Sequence, residues 1–196
     1  MTFRVFLAVA IAAFVQSSLF AENNSGGSED QPCILVAAAD VDVFQRPDSS
    51  AALFGTLSAG ERISLAVRTE GGWLGFDPGT AQAGNTGSFR YRWIMPEDNA
   101  VISGDTETLP IVWAPSPDSA YAMTFQIVTV FSGPDCDSHA VFTMPPASAA
   151  VIKAVSGEWF RLDLRNGPLQ TDVEGWVLRE DVSVNGSLDQ LSVSGQ

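Results

Sequence analysis

The segment Val41-Asp-Val-Phe-Gln-Arg-Pro-Asp48 returns 87 positions later as Val128-Thr-Val-Phe-Ser-Gly-Pro-Asp135. Each copy is followed by the same order of features: an apolar run, a Gly-Gly-Trp or Gly-x-Trp step, and a second Trp just ahead of an acidic pair. Trp73 answers to Trp159, Trp93-Ile94 to Trp176-Val177, and Glu97-Asp98 to Glu180-Asp181. A chain that carries one pattern twice must be able to fold it twice, so each copy has to be a small module. A second register aligns Val43-Phe44 with Val141-Phe142 and Pro47 with Pro145. It leaves too few residues before Trp159 for two more strands, so the 87-residue offset is preferred. No reactive residue is duplicated, which points to binding or assembly rather than chemistry.

The modules read as β-structure. Short apolar runs bounded by Pro, Gly, Asp and Ser recur throughout, with almost no helical periodicity after residue 21. Predicted strands in the first copy are Ile34 to Ala38, Val41 to Phe44, Leu53 to Leu57, Glu61 to Thr69, Trp73 to Phe76 and Phe89 to Met95. Ile63, Leu65 and Val67 alternate with Arg62, Ser64 and Arg68, the period-two pattern of a half-buried strand. In the second copy they are Phe125 to Phe131, Ala140 to Met144, Ala150 to Val155, Glu158 to Leu164 and Gly175 to Leu178. Residues 99–123 form a Pro-rich connector in which Ile111-Val-Trp113 is apolar enough to dock or to lend a strand.

Residues 1–21 read as a signal peptide. Arg4 precedes the apolar run Phe6 to Val15, and Ser17-Ser-Leu-Phe-Ala21 offers a cleavage site after Ala21. The rival, an uncleaved anchor, would need about 20 apolar residues. The expected location is therefore secreted, extracellular or cell envelope, with no membrane insertion after cleavage. Residues 22–32 read as a flexible leader and 185–196 as a flexible tail. The formal charge of the whole chain is −13. Losing Arg4 leaves nine basic against 23 acidic residues, or −14. Such a chain is repelled by phosphate backbones, so nucleic acid is not an expected partner. Cys33 and Cys136, an even pair in an oxidising compartment, point to one disulfide. It would close a loop of about a hundred residues, on the order of 4–5 kcal/mol in the chain-entropy model. Two free thiols are the alternative.

This order of features resembles the bacterial SH3-like (SH3b) module. The second copy carries the resemblance at Val128-Thr-Val-Phe-Ser-Gly-Pro134, Gly157-Glu-Trp-Phe160 and Gly175-Trp-Val177. The first carries it at Val41-Asp-Val-Phe-Gln-Arg-Pro47, Phe54-Gly-Thr-Leu-Ser-Ala-Gly60 and Gly71-Gly-Trp-Leu74. Phe44 and Phe131 stand where that family often has Arg, and the first copy has Arg92-Trp-Ile94 in place of Gly-Trp-Val. The resemblance implies an all-β chain of two tandem small SH3-like barrels, residues 33–98 and 124–184. It also implies attachment to a cell-wall component, or contact with an extracellular protein or glycan.

Candidate ligand-binding residues are Trp73, Phe76, Arg90, Tyr91, Trp159 and Arg161. Trp73 and Trp159 follow exposed turns, where indole suits sugar stacking or peptide recognition, whereas Trp93 and Trp176 read as core. Arg90-Tyr-Arg92 makes a local basic and aromatic spot able to hold a carboxylate. The Gly-rich loop 77–88 is the first candidate for ligand contact, which places the specific contact in the first copy, with the second as its brace. Other constellations read blandly. Asp40 and Asp42 fit solvated strand positions, and Cys136 with His139 lacks the further ligands of a zinc site. The expectation is a non-enzymatic binding protein with no cofactor, no metal and no catalytic residue. The alternative is a structural or protein-interaction scaffold, hydrolase activity is disfavoured, and the oligomeric state is left open.

Overall fold

Phe44 organises the first copy from two sides. It ends β2 (Val41–Phe44), which follows β1 (Ile34–Ala37), and pairs across a bulge with Leu53 of β3 (Leu53–Leu57). On its other side Phe44 faces Trp93 of β7 (Arg92–Ile94). Between them in the chain lie β4 (Arg62–Ser64), β5 (Val67–Arg68) and β6 (Leu74–Phe76), and β8 (Ala100–Ser103) follows β7. The computed structural model describes residues 32–80, 87–97, 99–189 and 191–193. The expected signal peptide, nearly all of the leader, residues 81–86 of the Gly-rich loop, Asp98 and the last three residues lie outside them.

Among the described residues there is no α-helix, only short 3-10 turns, and the chain is all-β as expected. The first copy splits between two open ladders, β3-β2-β7-β6-β5 and β4-β1-β8. The alternating run 61–69 is what divides. The Leu65 N–H donates to Cys33 O and the Ala66 N–H to Gly75 O, both at 2.8 Å, so the run changes sheet between these two residues. Leu65 and Val67 are buried as their alternation predicts. Leu65 joins a core of Leu35, Val41, Val43, Leu74, Phe76 and Ile94, whereas Val67 packs with Trp73 and Trp93.

The second copy repeats the plan in one sheet. It comprises β9 (Tyr121–Met123), β10 (Val128–Phe131), β11 (Ala140–Met144), β12 (Ala149–Ser156), β13 (Trp159–Asp163), β14 (Glu174–Leu178), β15 (Ser183–Asn185) and β16 (Ser192–Val193). Phe131 pairs across a bulge with Ala140 and faces Trp176, which is the Phe44, Leu53 and Trp93 arrangement shifted along the chain. The core gathers Val128, Val130, Met144, Ile152, Phe160, Leu162, Leu164 and Val177.

The connector is woven into both copies. β8 pairs with β1, and Ile111 bridges to Arg68, with the Val112 N–H donating to Arg68 O at 2.8 Å. β9 pairs with both β12 and β15. Residues 31–196 make one compact unit. A small aromatic core joins the copies, in which Phe89, Trp113 and Tyr121 meet edge to face with centroids 5.1 to 6.0 Å apart. Arg46 adds a polar clamp. From the β2–β3 turn its guanidinium donates to the carbonyls of Ser116, Pro117 and Ser119 and to Asn185 Oδ1.

Two expectations are corrected. Residues 185–196 are not a free tail throughout. Asn185 lies in β15, Leu188 and Leu191 pack on the second core, and β16 runs parallel to β12, because these apolar residues cover an otherwise open sheet. Cys33 and Cys136 are not bonded. Cys33 is buried in the first core, while Cys136 is exposed in the Ser132–Ser138 turn of the other copy. Burial, then the nearby Asp105, pushes the Cys33 thiol up from its ordinary value. A thiol reagent added to the native protein is expected to label Cys136 fast and Cys33 only after unfolding. Immediate labelling of both, or of neither, would contradict this packing.

Candidate functional site

A hairpin turn delivers Trp73. Glu70-Gly-Gly72 is closed by the Thr69 N–H to Trp73 O at 2.9 Å and the Gly72 N–H to Thr69 O at 3.1 Å, with Gly72 at φ +82°. The indole then meets the Phe44 ring edge to face, with centroids 5.5 Å apart and planes at 88°. Met95 stands beside them, and together they floor a cleft of about 360 Å³. Asp40, Asp42 and Glu97 stand around it.

The second copy rebuilds the aromatic pair. Phe131 and Trp159 meet at 5.8 Å and 88°, and both are half-buried. Its surroundings differ. Where the first copy has Asp40, Asp42 and Met95, the second has Ile127, Thr129 and Leu178. Ile127 is 70% exposed.

The remaining candidates do not join either shelf. Phe76, expected at the binding face, is a core residue. Arg90 closes a 3-10 turn and donates to Asp77 Oδ2 at 2.7 Å, so its charge is matched. The Asp77 carboxyl is held below its ordinary value by the Gly79 N–H and then by Arg90. Tyr91 packs edge to face on Trp93 at 6.1 Å. Arg92 is buried over the Phe54 ring at 4.6 Å, so the three residues 90–92 do not form one basic face. Burial lowers the Arg92 guanidinium from its ordinary value, with Asp77 opposing. Arg161 donates to Glu174 at 2.5 Å.

The second pair of tryptophans divides. Trp93 is fully buried, as expected of core, but Trp176 is half-exposed. Their cross-strand partners explain it. Trp93 lies over Gly75, whose added Cβ would come within 3.0 Å of the indole, and Val112 packs on that cluster. Trp176 lies opposite Arg161, a residue that leaves no such recess for the indole. Sequence reasoning named Trp73 and Trp159 but took Phe44 and Phe131 only as departures from the family pattern. That both copies depart alike, at one repeat position, was the signal for the paired shelf.

The described residues show no assembled catalytic set. His139 Nδ1 lies 3.1 Å from Ser132 Oγ in an exposed turn, and no carboxylate there bonds the other ring nitrogen. No group of three His, Cys, Asp or Glu among the described residues is placed to hold a metal ion.

No protein-family model and no curated protein sequence matches the chain. Among solved structures it bears a distant likeness to NlpC2 from Trichomonas vaginalis, at 13% identity and a TM-score of 0.27, covering 85% of this chain and 52% of that one. NlpC1 from the same organism gives 13% identity and a TM-score of 0.26, over 80% of this chain and 47% of that one. An NlpC/P60 family protein from Bacillus cereus gives 14% and 0.27, over 79% and 57%. The chain thus spans about half the length of the structures it resembles.

Proposed function

We propose that this is a non-enzymatic protein of the exported or cell-envelope class, built from two SH3b-like modules, that holds a cell-wall or extracellular ligand at the Phe44–Trp73 cleft. One observation carries the reading. The same Phe–Trp pair is built twice in the same perpendicular geometry, and in the first copy it floors an open cleft. Aromatic surface left beside a concave site is what stacking on sugar or peptide needs. Ionic capture by Arg90 or Arg161 is not required, since both are already paired.

Co-sedimentation with purified cell-wall material tests it. The protein is expected to be retained, and Phe44→Ala, at a half-buried position, is expected to reduce retention by up to about tenfold, one well-placed aromatic contact. Near-ultraviolet circular dichroism checks that the variant stays folded. Retention unchanged in the folded variant would remove the cleft from the function. A scaffold role is the second reading, favoured by Phe125 and Ile127, which are 53% and 70% exposed on the second copy.

A further inference from the structure

We infer that the first cleft selects an organic cation, an ammonium or guanidinium group carried by the ligand, and that the second shelf does not. The inference rests on the cleft being the ligand site. Its floor is the half-buried Phe44 and Met95, backed by Trp73, which is only 9% exposed, a polarisable surface in which an aromatic ring face can attract a cation lying within about 6 Å. Its sides carry Asp40, Asp42 and Glu97, and no Lys or Arg among the described residues lines it. Neither the Asp40 nor the Glu97 side chain has a hydrogen bond or ion pair among the described residues, and Asp42 has only a 3.5 Å contact from Thr56. Three acidic side chains therefore face a concave aromatic surface without a counter-charge among the described residues.

Ion size decides the class. The carboxylates do not converge into a metal-holding group, so a small hard cation would not be enclosed. An alkylammonium or guanidinium is larger. It can rest its alkyl part on Met95 and the rings while its N–H groups reach carboxylates on different sides. The second copy supplies the internal contrast. It keeps the aromatic pair but replaces Asp40 and Asp42 by Ile127 and Thr129, leaving Glu180 where the first copy has Glu97. A shelf stripped of two of its three charges has lost what would distinguish a cation from a neutral group.

The test is a titration of the ¹⁵N-labelled protein with three capped tripeptides, Ac-Gly-Lys-Gly-amide, Ac-Gly-Arg-Gly-amide and the first with its lysine acetylated. Saturable shifts are expected at the Trp73 indole and the 40–44 amides with the lysine or arginine peptide, and none with the acetylated one. The two charged peptides separate ammonium from guanidinium preference. The double variant Asp42→Asn/Glu97→Gln, both at exposed side chains, is expected to weaken binding at least about tenfold. Equal shifts with the acetylated peptide, no shifts with either charged one, or undiminished binding by the double variant would overturn the inference. Cell-wall retention kept by the double variant but lost by Phe44→Ala would leave the cleft as a ligand site and remove only its charge preference.

Discussion

Arg46→Met is expected to lower unfolding stability by about 2–4 kcal/mol, because it strips a charged donor from several part-buried carbonyls, and each unsatisfied group costs about 1–3 kcal/mol. Arg46 is only 8% exposed. Its guanidinium donates to the Ser116 carbonyl, and to Pro117 O at 3.1 Å, Ser119 O at 2.9 Å and Asn185 Oδ1 at 2.8 Å. It also lies over Tyr121 at 5.2 Å and Phe89 at 5.8 Å. Burial lowers it from its ordinary value, and Tyr121 and then Asp118 push back. Methionine keeps much of the apolar stem but leaves the carbonyls of Ser116, Pro117 and Ser119 without that donor. Arg46→Lys is expected to recover only a minor part, because one ammonium cannot match a planar fork aimed at several acceptors. Urea unfolding measures both, and a loss below about 1 kcal/mol for Met would mean that water satisfies the carbonyls equally well.

Gly175→Ala is expected to cost about 2–3 kcal/mol, the upper part of the range for overpacking a filled site. A Cβ there would lie 2.5 Å from Val130 Cγ1 and 2.6 Å from Phe131 O. The valine can turn. The carbonyl cannot withdraw without disturbing the place where β10 meets β14, and that junction pairs Phe131 with Trp176. Gly175 corresponds to Arg92 in the first copy, and Val141, also near that Cβ, corresponds to Phe54. The first copy thus fills with a stacked Arg92–Phe54 pair what the second keeps clear with a glycine. A denaturation midpoint within error of wild type would show that the strands separate freely enough to admit a methyl group.

Hairpins were the legible part of the fold, because their register follows from local turns. The Leu53–Leu57 and Ala140–Met144 strands fall where apolar runs between turn residues place them. Strand 61–69 was legible as alternation but not as two strands, since its division depends on Cys33 and Gly75, both distant in sequence. Phe89 and Arg90 were read as strand and form a 3-10 turn, because Phe89 is drawn to Tyr121 and Trp113. The candidate site was half legible. Trp73 and Trp159 follow visible turns, but Met95 and Glu97 reach the cleft only once β7 has paired with β2, which no local pattern reveals. Asp40 and Asp42 read as solvated strand positions for the same reason.

The clamp at Arg46 also sets an order of completion. A chain leaves the ribosome N-terminus first, and an independent domain can close as soon as its own last residue emerges. The first copy cannot. Its sheet waits for β8, its Arg68 edge for residues 110–112, and its guanidinium for Ser119 and finally Asn185. A nascent chain halted near residue 98 would hold a buried-to-be charge without its acceptors, so the copy made first depends for its last contacts on residues made later. Two modules that read as repeats thus complete, in the time domain, as a single event.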